Sequence, residues 1–250
     1  MIIRVFCYNC SMQKKVHFTE NTSYGLIEVA DWMYQGDLVR FLSVDGNAES
    51  AMFLDEDRKN DLVFHYMQRF SYAFFVNPDI RSTLLIGGGA FSYPKYYLDH
   101  YRHNTITVVE LSQKMIDLAY RYFRMDELDI EQQSNLKIIC DDAFTWLKQS
   151  DETYDWIIND AFIADLMQGR EESFLPVIRQ HLNPDGMYME NHISTLTGIH
   201  SHSLYRREKQ LQKYFSDVTK IICNDEMEAD QRQNVILCGI NREVSDGQDR

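Results

Sequence analysis

The chain has 250 residues, enough for one substantial core or a full domain with a small appended one. Its 38 acidic against 25 basic residues give a net charge of −13, which opposes a phosphate-binding surface and excludes nucleic acid as the expected partner. No apolar run reaches the roughly 18 residues a membrane helix needs, and the five cysteines are too few and scattered for a disulfide scaffold.

At the N-terminus Arg4, Asn9 and residues 13–15 interrupt any signal-peptide core, so a cytoplasmic protein without membrane contact is expected. Cys7 and Cys10 have metal-ligand spacing, but no second Cys/His pair matches them, and no metal is expected. Residues 24–29 and 38–44 carry β-branched and aromatic side chains and are followed by the turn pair Asp45-Gly46, predicting a small antiparallel β-region. From 60 to 76, Leu62, Val63, Tyr66, Met67, Phe70 and Phe74 recur near helical spacing, predicting one helix that ends at Asn77-Pro78.

Beyond Pro78 strands and helices alternate. Residues 83–86 form a short apolar run into Gly87-Gly88-Gly89, followed by a helix with Pro94 in its first turn. Residues 106–109 form the next strand, and Ser112 caps a helix running to about Phe123. Further strands are expected at 136–140, 156–158 and 187–189, with a helix at 171–181 and a turn at Asn183-Pro184-Asp185-Gly186. A helix at 203–215 and a closing pair of strands at 218–223 and 234–240 complete the pattern. Such alternation implies a parallel sheet covered on both faces.

Three strand ends carry chemistry matched to one nucleoside site, and a fourth carries an acid. Gly87, Gly88 and Gly89 let the backbone turn sharply and approach a ligand, although a plain glycine turn would look the same. Glu110 ends the next strand just over 20 residues on, where a carboxylate can accept both hydroxyls of a ribose. Asp141, Asp142 and Ala143 follow the third strand. An acid beside a small residue there can receive an adenine amino group, or simply cap the following helix. Asp160 ends the fourth strand, where an acid could hold an incoming amine and take its proton, or serve as a cap.

These positions resemble the spermidine synthase family of polyamine aminopropyltransferases over roughly residues 23–192, closest to its shorter or membrane-fused bacterial relatives. The family's glycine loop, its acid after the second strand, its acid–small pair after the third and its Asp-rich loop after the fourth have counterparts in Gly87-Gly88-Gly89, Glu110, Asp142-Ala143 and Asp160. His65 falls on a family histidine near the ligand, or is an ordinary helix histidine. Four positions depart: Ala90 and Ile163 stand where the family has Asp, Phe64 where it has Tyr, and Gly25 where it has Gln, with Asp165 a possible displaced carboxylate.

The resemblance implies a seven-stranded Rossmann-like fold of the S-adenosylmethionine-dependent methyltransferase type with a small N-terminal antiparallel β-domain. The expected divisions are 1–59, 60–240 and a polar tail at 241–250. It implies a homodimeric transferase that moves a group from decarboxylated S-adenosylmethionine or S-adenosylmethionine to a small amine or polyamine acceptor. The alternatives are an S-adenosylmethionine-dependent methyltransferase, favoured by Ala90, and a catalytically silent nucleoside-binding relative, favoured by the missing acids.

Overall fold

The alternating burial of residues 15–53 folds them into a four-stranded antiparallel sheet of β1 (Lys15–Thr22), β2 (Gly25–Tyr34), β3 (Asp37–Val44) and β4 (Asn47–Phe53), in that spatial order. Ile27 and Val29 of β2 are buried while their neighbours Leu26 and Glu28 are not, the period of a half-covered strand. Gln35-Gly36 and Asp45-Gly46 connect the later strands as two-residue turns with positive φ at both positions, the twist that matches paired strands. The computed structural model describes residues 13–128, 130–161 and 171–241; Cys7, Cys10, Ile163, Asp165 and the tail beyond 241 lie outside them.

The expected single helix over 60–76 is not formed. Residues 60–64 are non-helical, α1 (His65–Gln68) and α2 (Tyr72–Val76) are short, and a 3₁₀ turn at Arg69–Ser71 separates them. Leu62, Val63 and Phe64 are consecutive and all buried, which one face of a helix cannot achieve, and Phe64 is extended at φ −90°, ψ 116°. Two strands flanking the predicted pair, β1 and β4, complete the sheet.

The second sheet begins with β5 (Ser82–Ile86), followed by α3 (Ser92–His100), β6 (Thr105–Glu110), α4 (Gln113–Tyr122), α5 (Ile130–Ser134), β7 (Leu136–Cys140), α6 (Ala143–Gln149) and β8 (Tyr154–Asn159). It closes with α7 (Glu171–Gln180), β9 (Leu182–Ser194), α8 (His202–Leu211), β10 (Asp217–Ile222) and β11 (Gln233–Ile240). Its seven strands run in the order β10-β11-β9-β8-β5-β6-β7, parallel from β9 to β7 and antiparallel through β11. Alternate residues feed two cores: Leu85, Val108, Trp156 and Ile158 pack on one face, Leu84, Ile86, Val109 and Ile157 on the other. Both faces are covered, which is why these strands read as apolar runs.

The turn expected at residues 183–186 lies inside β9 instead of before it. Tyr154 pairs with Leu182 and Trp156 with Met187, so the four residues between are looped out while the ladder continues, with Asp185 at φ 60°. Among the described residues no helix is long and apolar enough to cross a membrane.

Candidate active site

From β5 the chain adds β6 and β7 on one side, then returns to place β8 on the other. The strand order therefore reverses at β5, the place where open α/β sheets bind ligands beyond their carboxyl ends. Gly87, Glu110 and Asp160 all emerge there. Gly87 N–H donates to the Val109 carbonyl at 2.9 Å and Asp160 N–H to the Ile86 carbonyl at 2.9 Å, tying the three strand ends together.

Gly87 adopts φ 89°, and a Cβ on it would sit 2.9 Å from the Ala161 backbone; both conformation and space require glycine. The loop is held from inside by Glu110. One carboxylate oxygen accepts the N–H of Gly88 at 2.8 Å and of Gly89 at 3.2 Å, and the other accepts Ser112 N–H at 2.9 Å. Three of the roughly four acceptor positions of this buried carboxylate are thus used by the protein. Ser112 also caps α4, accepting Met115 N–H. Asp142 caps α6, accepting both the N–H and the hydroxyl of Thr145 at 2.9 and 2.8 Å, while Asp141 accepts Asp142 N–H. Ala143 follows as the first residue of α6 and is partly buried.

Asp160 occupies the other half of the cleft. Its carboxylate accepts the Tyr66 hydroxyl at 3.0 Å and the Asn191 amide at 3.0 Å, and Asn191 is itself fixed by Asn234 at 3.0 Å. Burial raises the Asp160 carboxyl to about 6 despite these two donors. Burial, and then the charge of Asp160, hold the Tyr66 phenol protonated, so Tyr66 is the donor. Glu49 is raised to about 7, first by desolvation and then by the charge of Asp160. Glu49 remains open to solvent while protein surrounds most of it, as a group lining a cleft does.

Tyr66, Asn191, Asn234 and Glu49 carry no sequence signal of this role. Tyr66 reads as one more apolar position, and Glu49 as a polar residue after a turn.

Of the remaining positions singled out by sequence, His65 is exposed on the wall of a separate cavity of about 430 Å³ shared with Tyr34, Arg58 and Tyr96. Ala90 is fully buried against Ile27, Val29 and Met52, with its N–H donated to Ser50 Oγ at 2.9 Å. Phe64 is buried against Phe41 and Tyr66. Gly25 opens β2 at φ 121°, and a Cβ there would overlap the Asp45 carboxylate at 2.3 Å.

Residues 70–224 match the model of the spermine/spermidine synthase domain. The chain belongs to the spermine/spermidine synthase family. A probable polyamine aminopropyl transferase of Bifidobacterium longum is 32% identical over 112 residues, which are 44% of this chain and 24% of that relative. The chain spans 48 to 55% of two other polyamine aminopropyltransferases that it matches, from Lachnospira eligens and Buchnera aphidicola. A probable spermidine synthase from Corynebacterium glutamicum superposes with a TM-score of 0.71 at 22% identity, covering 94% of this chain and 82% of that one. A spermidine synthase in complex with the transition state analogue AdoDATO superposes with a TM-score of 0.70 at 15% identity, covering 91% and 74%. At these identities the structural likeness is one of fold, and the family's seven-stranded sheet with its small antiparallel sheet is the architecture found here.

Proposed function

We propose that this chain transfers an aminopropyl group from decarboxylated S-adenosylmethionine to a small amine. The observation that carries this reading is Asp160, a partly desolvated acid held by Tyr66 and Asn191 at the switch point, opposite the glycine loop. Glu110 and the loop N–H groups suit a ribose, and Asp142 with Ala143 suits the adenine edge. A ribose held by both its hydroxyls would need one loop N–H to release Glu110, since the carboxylate has about one acceptor position left. The acceptor nitrogen attacks the carbon beside the sulfonium, the new N–C bond forms as C–S breaks, and methylthioadenosine leaves with the bonding electrons. Asp160 takes the proton that the nitrogen sheds.

The printed descriptions of the relatives, polyamine aminopropyltransferases and spermidine synthases, support the same chemistry. A second reading, methyl transfer from intact S-adenosylmethionine, rests on Ala90, which carries no charge to repel the donor carboxylate.

Mass analysis of products formed from each donor with a panel of diamines distinguishes an aminopropyl from a methyl increment. Asp160→Asn is expected to lower turnover about 100-fold or more while leaving methylthioadenosine affinity within a few-fold. Wild-type turnover in that variant would make Asp160 structural. Absence of product and of nucleoside binding would leave the chain a silent relative.

A further inference from the structure

We propose that Glu49 selects the donor: its carboxylate receives the ammonium of a three-carbon arm on the sulfonium and repels a donor that carries a carboxylate there. The inference rests on the proposed transfer and assigns to its site a residue from the other sheet.

Backbone geometry places it. In β4 Ser50 pairs with Leu42 and Ala48 with Ser43, so Glu49 is the extra residue of a β-bulge, without a partner on β3. A bulge re-aims one side chain out of the alternation that would otherwise fix its face. The bulge sits directly on the glycine loop. Ser50 Oγ receives the Ala90 N–H, and a Cβ on Gly89 would lie 2.6 Å from that oxygen and 3.9 Å from the Glu49 carbonyl. Glu49 is thus delivered to the lip of the loop assigned to the nucleoside, beside Ala90, whose own side chain is sealed in the core.

The surroundings of the carboxylate then define its ligand. Tyr66 and Asn191 donate to Asp160, and Glu110 takes three backbone N–H groups, but no described residue donates to or pairs with the Glu49 carboxylate. The charge of Asp160 reaches it, and both acids are raised, to about 7 and about 6, with desolvation the first cause for Glu49 and the only raising cause for Asp160. Two acids in this state accept a cation and disfavour a third negative charge. Decarboxylated S-adenosylmethionine offers an ammonium without a carboxylate at the end of its arm; the intact donor brings both. Ala90 therefore does not leave the site without a discriminating charge.

The test is a set of dissociation constants at one pH near 8 and one salt concentration, for wild type, Glu49→Gln and Glu49→Asp, with decarboxylated S-adenosylmethionine, S-adenosylmethionine and methylthioadenosine. Wild type is expected to prefer the decarboxylated donor by about tenfold or more, and Glu49→Gln to narrow that preference to within about threefold, as loss of one charge-assisted contact implies. Methylthioadenosine, which has no arm, should bind both alike. Glu49→Asp keeps the charge and should keep most of the preference. An undiminished preference in Glu49→Gln, with methylthioadenosine still bound, overturns the role of Glu49 and leaves the transfer reading intact. Equal loss in the Asp and Gln variants assigns the effect to shape and also overturns it. Failure of folded wild type to bind methylthioadenosine overturns the transfer reading itself.

Discussion

At the scale of single residues the cleft is governed by how few charges it can hold. Burial raises the Asp160 carboxyl to about 6, and burial together with the charge of Asp160 raises Glu49 to about 7. In the free protein the two acids titrate as a pair, so protons leave in steps that belong to both. A bound cation lowers both affinities, because it favours the charged forms. The acid limb of kcat/KM, which reports the free protein, is therefore expected to rise between about pH 6 and 7. The limb of kcat, which reports the complex, should lie about one pH unit lower or more. Initial rates from pH 5 to 9 check this, and coincident limbs would mean that no cation sits against the acids. Single residues were the least legible part of the site. Asp160 and Glu110 stand at strand ends that the apolar runs announce, whereas Tyr66, Asn191 and Glu49 meet only through long-range contacts that no local pattern encodes.

At the scale of elements, the central strands of the main sheet were legible because burial on both faces gives β5, β6, β8 and β9 apolar runs between turns. The segment at 60–76 was not, since its apolar spacing satisfies a helix while Leu62 to Phe64 satisfy a tertiary cavity instead. α3 hides a further feature. Lys95 on this helix is 2% exposed, and its ammonium donates to the Phe123 carbonyl at 2.6 Å and lies 3.2 Å from the Met52 sulfur. Desolvation pulls it down to about 7 from 10.5. A base depressed in the folded state contributes stability that is greatest above the unfolded value and falls as pH drops from 10.5 towards 7. Lys95→Met removes that dependence, at the cost of an unsatisfied carbonyl worth about 1–3 kcal/mol. The stability of wild type relative to Lys95→Met should thus grow by a few kcal/mol between pH 7 and 10, on the order set by about 1.4 kcal/mol per pH unit. Denaturant unfolding of both proteins at the two pH values measures it. A difference that does not change with pH would show that Lys95 stays charged in the fold.

For the whole molecule the question is how the four-stranded sheet is fastened over the seven-stranded sheet, because the proposed cleft is shared by β4 and the glycine loop. The acidic composition argued against a nucleic-acid partner but could not indicate which acids meet. Nor could it indicate the fastening, to which one arginine contributes. Arg40 of β3 grips Asp31 of β2 through two bonds, Nε to Oδ1 at 2.7 Å and Nη2 to Oδ2 at 3.0 Å, and its third nitrogen donates to the Tyr122 carbonyl at the end of α4, at 2.9 Å. His17 of β1 completes the group at 2.6 Å from Asp31. Burial pushes the Asp31 carboxyl up, but the hydrogen bonds from Arg40 and His17 outweigh it and hold the group below its ordinary 3.8. A carboxyl depressed in this way contributes stability that is present above 3.8 and is lost as pH falls further. Arg40→Met strands a largely buried acid and a helix-end carbonyl together. It is expected to cost roughly 2–4 kcal/mol at pH 7, somewhat less than a fully buried pair because His17 remains. The loss should shrink as pH is lowered below 3.8 and Asp31 takes up a proton. Since the contact spans the two sheets, the variant should also weaken donor binding at the shared cleft more than Glu28→Gln, which changes a carboxylate on β2 facing Lys14. Chemical denaturation at pH 7 and near pH 3, with donor affinity at pH 8, tests all three parts. An unchanged stability at pH 7 would mean that the other contacts between the sheets, such as Ala90 N–H to Ser50 Oγ, carry the fastening without Arg40.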